Sequence, residues 1–143
     1  MIHVRVHVPP IPEALEAVAE GLVLLNVFYF EYALERGVEL PALYDSGIVY
    51  RREPKGREWW EAAADLLGVA ADLEGDCEDL AAYRAAECRV FEGDDAIVRV
   101  VRTTRGTFHA IVEHEDGEIE DPSKIAVLLE RRRQRQQRTR RAA

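Results

Sequence analysis

The chain has 143 residues, which is enough for one domain with a hydrophobic core of its own. Its composition, 48% hydrophobic and 32% charged, is that of an ordinary soluble globular protein. Only two cysteines are present, which excludes a disulfide framework. Because Cys77 and Cys88 lie 11 residues apart on one predicted helix, about 16 Å along its axis, they do not share a zinc ion either.

The net charge of −8 is unevenly distributed along the chain. Residues 131–143 carry seven arginines and no acidic residue, whereas residues 1–130 carry 12 basic and 27 acidic residues. We therefore expect a single domain over residues 1–130 and an arginine-rich tail that is disordered or docked on a partner. Electrostatics favours nucleic acid or an acidic protein face as that partner. The candidate binding residues are Arg131, Arg132, Arg133, Arg135 and Arg138.

The first half of the chain predicts one strand, two helices and, between the helices, a short extended piece over residues 48–52. Residues 2–8 alternate between apolar and polar side chains, which indicates a half-buried strand and argues against a signal peptide. Residues 13–36 predict a long helix, opened by Pro12 and closed by Gly37. Its second half is apolar on most sides, so we expect it to be covered on most sides. Because this apolar run is too short for a membrane span, we expect a buried core helix. Residues 57–68 predict the second helix.

A tight turn followed at once by a helix is predicted around Cys77. Gly75 supplies backbone freedom for the turn, and Asp76 is a good N-cap. The residues that follow are rich in Ala, Leu and Glu, which favour a helix. Cys77 then falls in the first helical turn, where free N–H groups and the helix dipole favour a thiolate. The neighbouring carboxylates of Glu78 and Asp79 act in the opposite direction and raise the pKa of a thiol.

A candidate base and a candidate orienting carboxylate follow Cys77 in the sequence. His109 lies 32 residues downstream in a strand-like run, residues 107–112, and Asp121 follows 12 residues later. Cys, then His, then Asp is the order of one thiol–imidazole–carboxylate triad. A lone cysteine in a helix is more often a small core residue, as we expect for Cys88. The triad is therefore one hypothesis that depends on all three residues together.

Three short segments resemble the transglutaminase-like (papain-like) cysteine peptidase superfamily, and in particular its small members from tailed phages and prophages. These segments are Gly75-Asp76-Cys77-Glu78-Asp79-Leu80, Phe108-His109-Ala110 and Asp121-Pro122-Ser123. The resemblance spans residues 44–125. It implies an α+β fold in which the nucleophile begins a helix packed on a small antiparallel sheet carrying the histidine and the aspartate.

The resemblance implies a Cys77–His109–Asp121 triad and leaves three functions open. The first is hydrolysis of amide bonds in a peptide or in peptidoglycan. The second is acyl transfer to an amine, and the third is a non-enzymatic virion or assembly component that binds other phage structural proteins. The expected location is cytoplasmic or virion-associated, without a membrane. No metal motif, phosphate loop or dinucleotide fingerprint occurs in the sequence, so we expect no cofactor.

The oxyanion hole is only partly assigned from the sequence. The backbone N–H of Cys77 is one expected donor. All three glutamines lie in the tail, so none precedes the nucleophile as in papain-like enzymes. Asp76, Trp59 and Trp60 are the candidate cleft residues, with one tryptophan expected in the core and the other beside Cys77.

The loop before Asp121 decides whether the triad can form. A two-residue loop at Asp116-Gly117 would place His109 and Asp121 on opposite faces of the hairpin. A three-residue loop with a left-handed Gly117 would pair Ile111 with Asp121 and make His109 a diagonal neighbour on the same face. We predict the three-residue loop. The nearby His114 is expected to be exposed to solvent.

Overall fold

The computed structural model describes residues 7–53, 59–68 and 73–142. The predicted N-terminal strand, residues 2–8, lies almost wholly outside the described residues, and residues 7 and 8 are not in a strand. The described helices are α1 (Pro12–Glu35), α2 (Ala63–Leu66), α3 (Cys77–Glu87) and α4 (Pro122–Ala142). The described strands are β1 (Val49–Tyr50), β2 (Glu74–Gly75), β3 (Ile97–Arg102), β4 (Phe108–Glu113) and β5 (Ile119–Glu120). The chain thus has a mixed α+β fold.

The strands form two small sheets. The strands β3, β4 and β5 make an antiparallel sheet in that order, and β1 pairs with β2 in parallel. Helix α3 packs between α1 and the antiparallel sheet, and its alanines are fully buried, which allows a close approach. The core is formed by α1, α3 and the inward side chains of β3 and β4. Helix α3 is therefore central in the fold, and Cys77 lies half-buried at its start.

The second half of α1 is more exposed than the sequence indicates. Phe28 is 67% exposed and Leu25 61%, whereas Val23, Asn26 and Phe30 form part of the buried face. The expectation that this half is covered on most sides is wrong within the described residues, because only one side of α1 packs on α3 and β3. By length and composition alone α1 is long and apolar enough to cross a membrane, a criterion that core helices also meet.

The second predicted helix, residues 57–68, is wrong in extent: α2 is a single turn, and residues 54–58 lie outside the described residues. Hydrogen bonds to distant side chains explain the difference. The N–H of Glu61 donates to Asp79 Oδ1 at 2.7 Å, and the N–H of Ala63 donates to Asn26 Oδ1 at 2.7 Å. These N–H groups are therefore taken by side chains of α3 and α1 instead of helix carbonyls.

The hairpin between β4 and β5 has the predicted three-residue loop. Val112 pairs with Glu120, so the same register places Asp121 opposite Ile111. The loop is closed by the N–H of His114, which donates to the carbonyl of Glu118 at 2.9 Å. Gly117 has a φ of 88°, the left-handed conformation that glycine adopts at no steric cost. His109 and Asp121 consequently lie on one face of the sheet.

The arginine-rich end is helical, so the disordered alternative is wrong for residues 131–142, whereas docking on a partner stays a prediction. Helix α4 begins at Pro122 inside the domain and continues without interruption to Ala142. Arginine and glutamine are good helix formers, and the packed first turns supply the nucleus from which the helix extends. Arg140 and Arg141 in the last turn also interact favourably with the negative end of the helix dipole.

Candidate functional site

Cys77 is the first residue of α3, as the sequence predicts. Asp76 is the N-cap and forms a capping box with Asp79, whose carboxylate accepts the Asp76 N–H at 3.2 Å. Gly75 is needed for a different reason from the expected one, since its φ is not positive. A Cβ there would lie 2.8 Å from Leu80 Cδ1, so glycine lets β2 approach the start of α3 closely.

The thiol of Cys77 sits in acidic surroundings. It is half-buried, and its S–H donates to Glu78 Oε2 at 3.2 Å. Burial, and then the negative charge of Glu78, raise the pKa of the Cys77 thiol far above its ordinary value. The backbone N–H of Ala110, which faces the sulfur, opposes this rise. The thiol is therefore protonated near neutral pH, as the neighbouring carboxylates in the sequence indicate.

Three carboxyl groups are buried around the start of α3. Burial raises the pKa of Asp76 to about 9 and that of Asp79 to about 8, and it also raises the pKa of Glu78. Asp76 and Glu78 are each only 7% exposed. Among the described residues, Asp76 Oδ1 and Glu78 Oε1 have no hydrogen-bond partner. Since two buried carboxylates this close cannot easily both ionise, we infer that one of the pair keeps its proton near neutral pH.

The structure brings His109 and Asp121 together. His109 Nε2 and Asp121 Oδ2 are 2.9 Å apart. Asp121 Oδ1 accepts from the hydroxyl of Ser123 at 2.7 Å and from the N–H of Lys124 at 3.2 Å, so this carboxylate also caps α4. Burial opposes ionisation of Asp121, but the hydrogen bonds from His109 and then Ser123 outweigh it and lower the pKa of Asp121 to about 2. The carboxylate is ionised and fixed for orienting the imidazole.

Cys77 lies beside Ala110, the residue that follows His109 in β4. Within the described residues no hydrogen bond joins the Cys77 sulfur to His109. The N–H of His114 points toward β5, and alternation along β4 gives the N–H of Ala110 the same direction. At Ala110 the strand β5 has already ended, so this N–H faces Cys77. Among the described residues His109 Nδ1 makes no hydrogen bond, and it is the nitrogen left to serve as a base.

The candidate cleft residues are placed differently from one another. Trp60 packs against the core, which confirms that one of the two tryptophans is a core residue. Trp59 is 59% exposed, and its backbone N–H donates to Glu53 Oε2 at 3.0 Å. Asp76 is a buried N-cap. The described hydrogen bonds include none from either indole, so neither tryptophan is shown as an oxyanion donor.

The sequence predicts a short extended piece over residues 48–52, which the structure shows as β1, but it does not single out Tyr50 as a residue near the nucleophile. Tyr50 pairs with Gly75 in the parallel β1–β2 ladder, two positions before Cys77. Burial raises the pKa of Tyr50, and the nearby Cys77 adds to the rise. The sequence signal was weak, because parallel pairing of two dipeptide strands leaves no periodic pattern.

His114 is not exposed, contrary to expectation. Its Nδ1 is bonded to Asp94 Oδ2, and its Nε2 lies 3.0 Å from Glu120 Oε2. Glu120 also accepts from Tyr44 and from Arg84, whose Nε lies 3.0 Å away. The three-residue loop makes residues 114 and 120 diagonal neighbours, so the predicted register was sufficient to predict this contact.

The tail arginines lie along the last turns of α4. The exposed ones are Arg131, Arg132, Arg135, Arg138, Arg140 and Arg141. Arg133 is half-buried instead and donates to the carbonyl of Tyr44 at 3.0 Å. Helix α4 therefore presents a basic surface, and the first turns of the helix attach it to the domain.

Comparison of the chain with protein-family models, with curated proteins and with solved structures found no match.

Proposed function

We propose that this chain is a cysteine-dependent hydrolase of amide bonds, with Cys77 as nucleophile, His109 as base and Asp121 as the orienting carboxylate. The observation that carries the proposal is the 2.9 Å contact between His109 and Asp121, made on one face of the hairpin by the three-residue loop. The position of Cys77 at the start of α3 supports the proposal, because its sulfur faces the backbone N–H of Ala110, next to His109.

In this mechanism His109 removes the thiol proton during attack, because the resting thiol of Cys77 is neutral. The sulfur bonds to the carbonyl carbon, and the proton passes to His109. The imidazolium, stabilised by Asp121, then protonates the leaving amine as the C–N bond breaks. Water hydrolyses the resulting thioester, with His109 acting again as base, and the free thiol is restored.

The developing oxyanion needs two hydrogen-bond donors. The N–H of Cys77 is in the first turn of α3 and has no carbonyl partner within its own helix. We assign the second donor to the phenol of Tyr50, since β1 places this side chain near Cys77. The Tyr50→Phe variant keeps the ring and removes only the hydroxyl, so it isolates this role.

The proposal is tested with p-nitrophenyl acetate, an activated acyl donor that does not require knowledge of the natural substrate. We expect acetylation of Cys77, detected by mass spectrometry, and release of p-nitrophenolate. His109→Ala should slow acetylation by about 10²- to 10⁴-fold, the usual contribution of a general base. The exposed His7 provides the matched control, because His7→Ala should leave the rate unchanged. Equal rates in wild type and His109→Ala would refute the triad.

The same assay separates hydrolysis from acyl transfer. An added primary amine competes with water for the thioester in a transferase, and the amide product is then formed at the expense of acetate. In a hydrolase the product remains acetate when the amine is added at a modest concentration.

A second candidate function, a non-enzymatic virion or assembly component, is favoured by the raised pKa of Cys77 and by the basic surface of α4. A neutral thiol hydrogen-bonded to Glu78 is stable and unreactive. If the exposed arginines bind DNA, the affinity should fall steeply as salt rises, because counterion release drives such binding. Failure of acetylation together with salt-sensitive DNA binding would favour this function over the hydrolase.

A further inference from the structure

We propose a zinc site formed by Cys88, Asp94 and His114, at the opposite end of α3 from Cys77. One ligand atom from each of these three residues lies within 4.8 Å of the other two. Thiolate, imidazole and carboxylate are the ligand types that Zn²⁺ takes in proteins. In a tetrahedral zinc site neighbouring ligand atoms are about 3.3 to 3.6 Å apart, so only small shifts would close this set around an ion.

The three residues come from three different parts of the fold. Cys88 is fully buried and begins the π-helical turn that ends α3, Cys88–Glu92. Asp94 lies just beyond it, and its backbone N–H donates to the carbonyl of Cys88 at 3.2 Å. His114 is at the end of β4, beside the hairpin loop. A bound ion would therefore join α3, the connection to β3 and the hairpin.

Two of the ligands are already oriented by hydrogen bonds on their outer side. His114 Nε2 faces Glu120 Oε2 at 3.0 Å, which leaves Nδ1 directed at the ion. Asp94 Oδ1 accepts the N–H of Glu115 at 2.9 Å, and Asp94 Oδ2 is bonded to His114 Nδ1, a bond that the ion would replace. A carboxylate behind a metal-binding histidine is a common outer-shell arrangement, because it fixes the tautomer and increases the basicity of the ring.

The surrounding charge favours a cation. The carboxylates of Glu87, Glu92 and Glu120 converge on the guanidinium of Arg84, so the three acids outnumber the one base. Asp94 adds a further negative charge. When Zn²⁺ binds, the Cys88 thiol and the His114 Nδ1–H that bonds Asp94 each release a proton to solvent, and Zn–S and Zn–N bonds replace the S–H and N–H bonds. Three protein ligands leave the fourth position to water.

Cobalt spectroscopy tests the site, because Co²⁺ replaces Zn²⁺ and shows a thiolate-to-metal absorption band only when cysteine is a ligand. The full chain is treated with a chelator and titrated with Co²⁺. The chain has only two cysteines, so in Cys77→Ser any thiolate band must come from Cys88. We expect a band at one Co²⁺ per chain in wild type and in Cys77→Ser, abolished when one equivalent of Zn²⁺ is added.

Thermal unfolding gives a second readout. Zn²⁺ should raise the unfolding temperature of wild type and of Cys77→Ser, and Asp94→Asn should reduce the effect. Absence of the thiolate band from folded Cys77→Ser would overturn the proposal, and so would a band that appears in wild type but disappears in that variant. The latter result would place the metal at Cys77 and His109. The test does not depend on catalysis, so its failure and that of the proposed hydrolase activity are distinguishable.

Discussion

Replacing Glu78 by glutamine should make Cys77 more reactive. The carboxylate lies 3.2 Å from the sulfur, and at this distance two unit charges repel each other by about 5 kcal/mol at an effective dielectric constant of 20. That energy corresponds to a thiol pKa higher by about 4, which is an upper limit. Glu78 shares the buried acidic site with Asp76 and therefore carries only part of a charge. We expect Glu78→Gln to lower the thiol pKa of Cys77 by a quarter to a half of this limit.

The measurement is the rate of iodoacetamide alkylation at Cys77, followed by peptide mass spectrometry at pH 8. A pKa lowered by one to two gives about ten- to hundredfold more thiolate and an equal rise in rate. The fully buried Cys88 is an internal reference, and the exposed Glu118 supplies the matched control, Glu118→Gln. A rate within twofold of wild type in a folded Glu78→Gln protein would show that burial alone raises the thiol pKa.

Three further changes test the ionisable groups by urea unfolding at several pH values. Burial raises the pKa of Asp76 to about 9, whereas it is about 3.9 in the unfolded chain, so stability that is present below pH 4 is lost as the pH rises toward 9. Asp76→Asn should flatten this decline. Parallel stability curves for wild type and variant would contradict the expectation. The pKa of Asp121 is instead lowered to about 2, so the wild type should lose about 2 kcal/mol as the pH falls from 5 to 2, and Asp121→Asn should not. Arg84→Ala removes the ion-pair partner of the buried Glu87 and leaves Glu120 with His114 and Tyr44. It should cost about 3 to 5 kcal/mol at pH 7, whereas the exposed Arg105→Ala should cost less than about 0.5. Similar losses would show that the pairs contribute little.

Local sequence was sufficient for the elements that carry the candidate triad. The capping residue Asp76 and the helix formers after it set the start of α3, and the Gly117 turn fixed the register that joins His109 to Asp121. These features depend on backbone preferences and side-chain alternation within a few residues, which a sequence displays directly.

Only the tertiary structure decided what depends on distant residues. The segment containing Glu61 is not helical, because side chains from α1 and α3 take its N–H groups. His114 is bonded to Asp94, twenty residues before it, instead of facing solvent, and Tyr50 lies near Cys77 through a parallel pairing. The protonation of Cys77 also depends on how deeply α3 is buried. Such contacts join residues far apart in the chain, and their energies come from burial and charge in three dimensions, which no local pattern records.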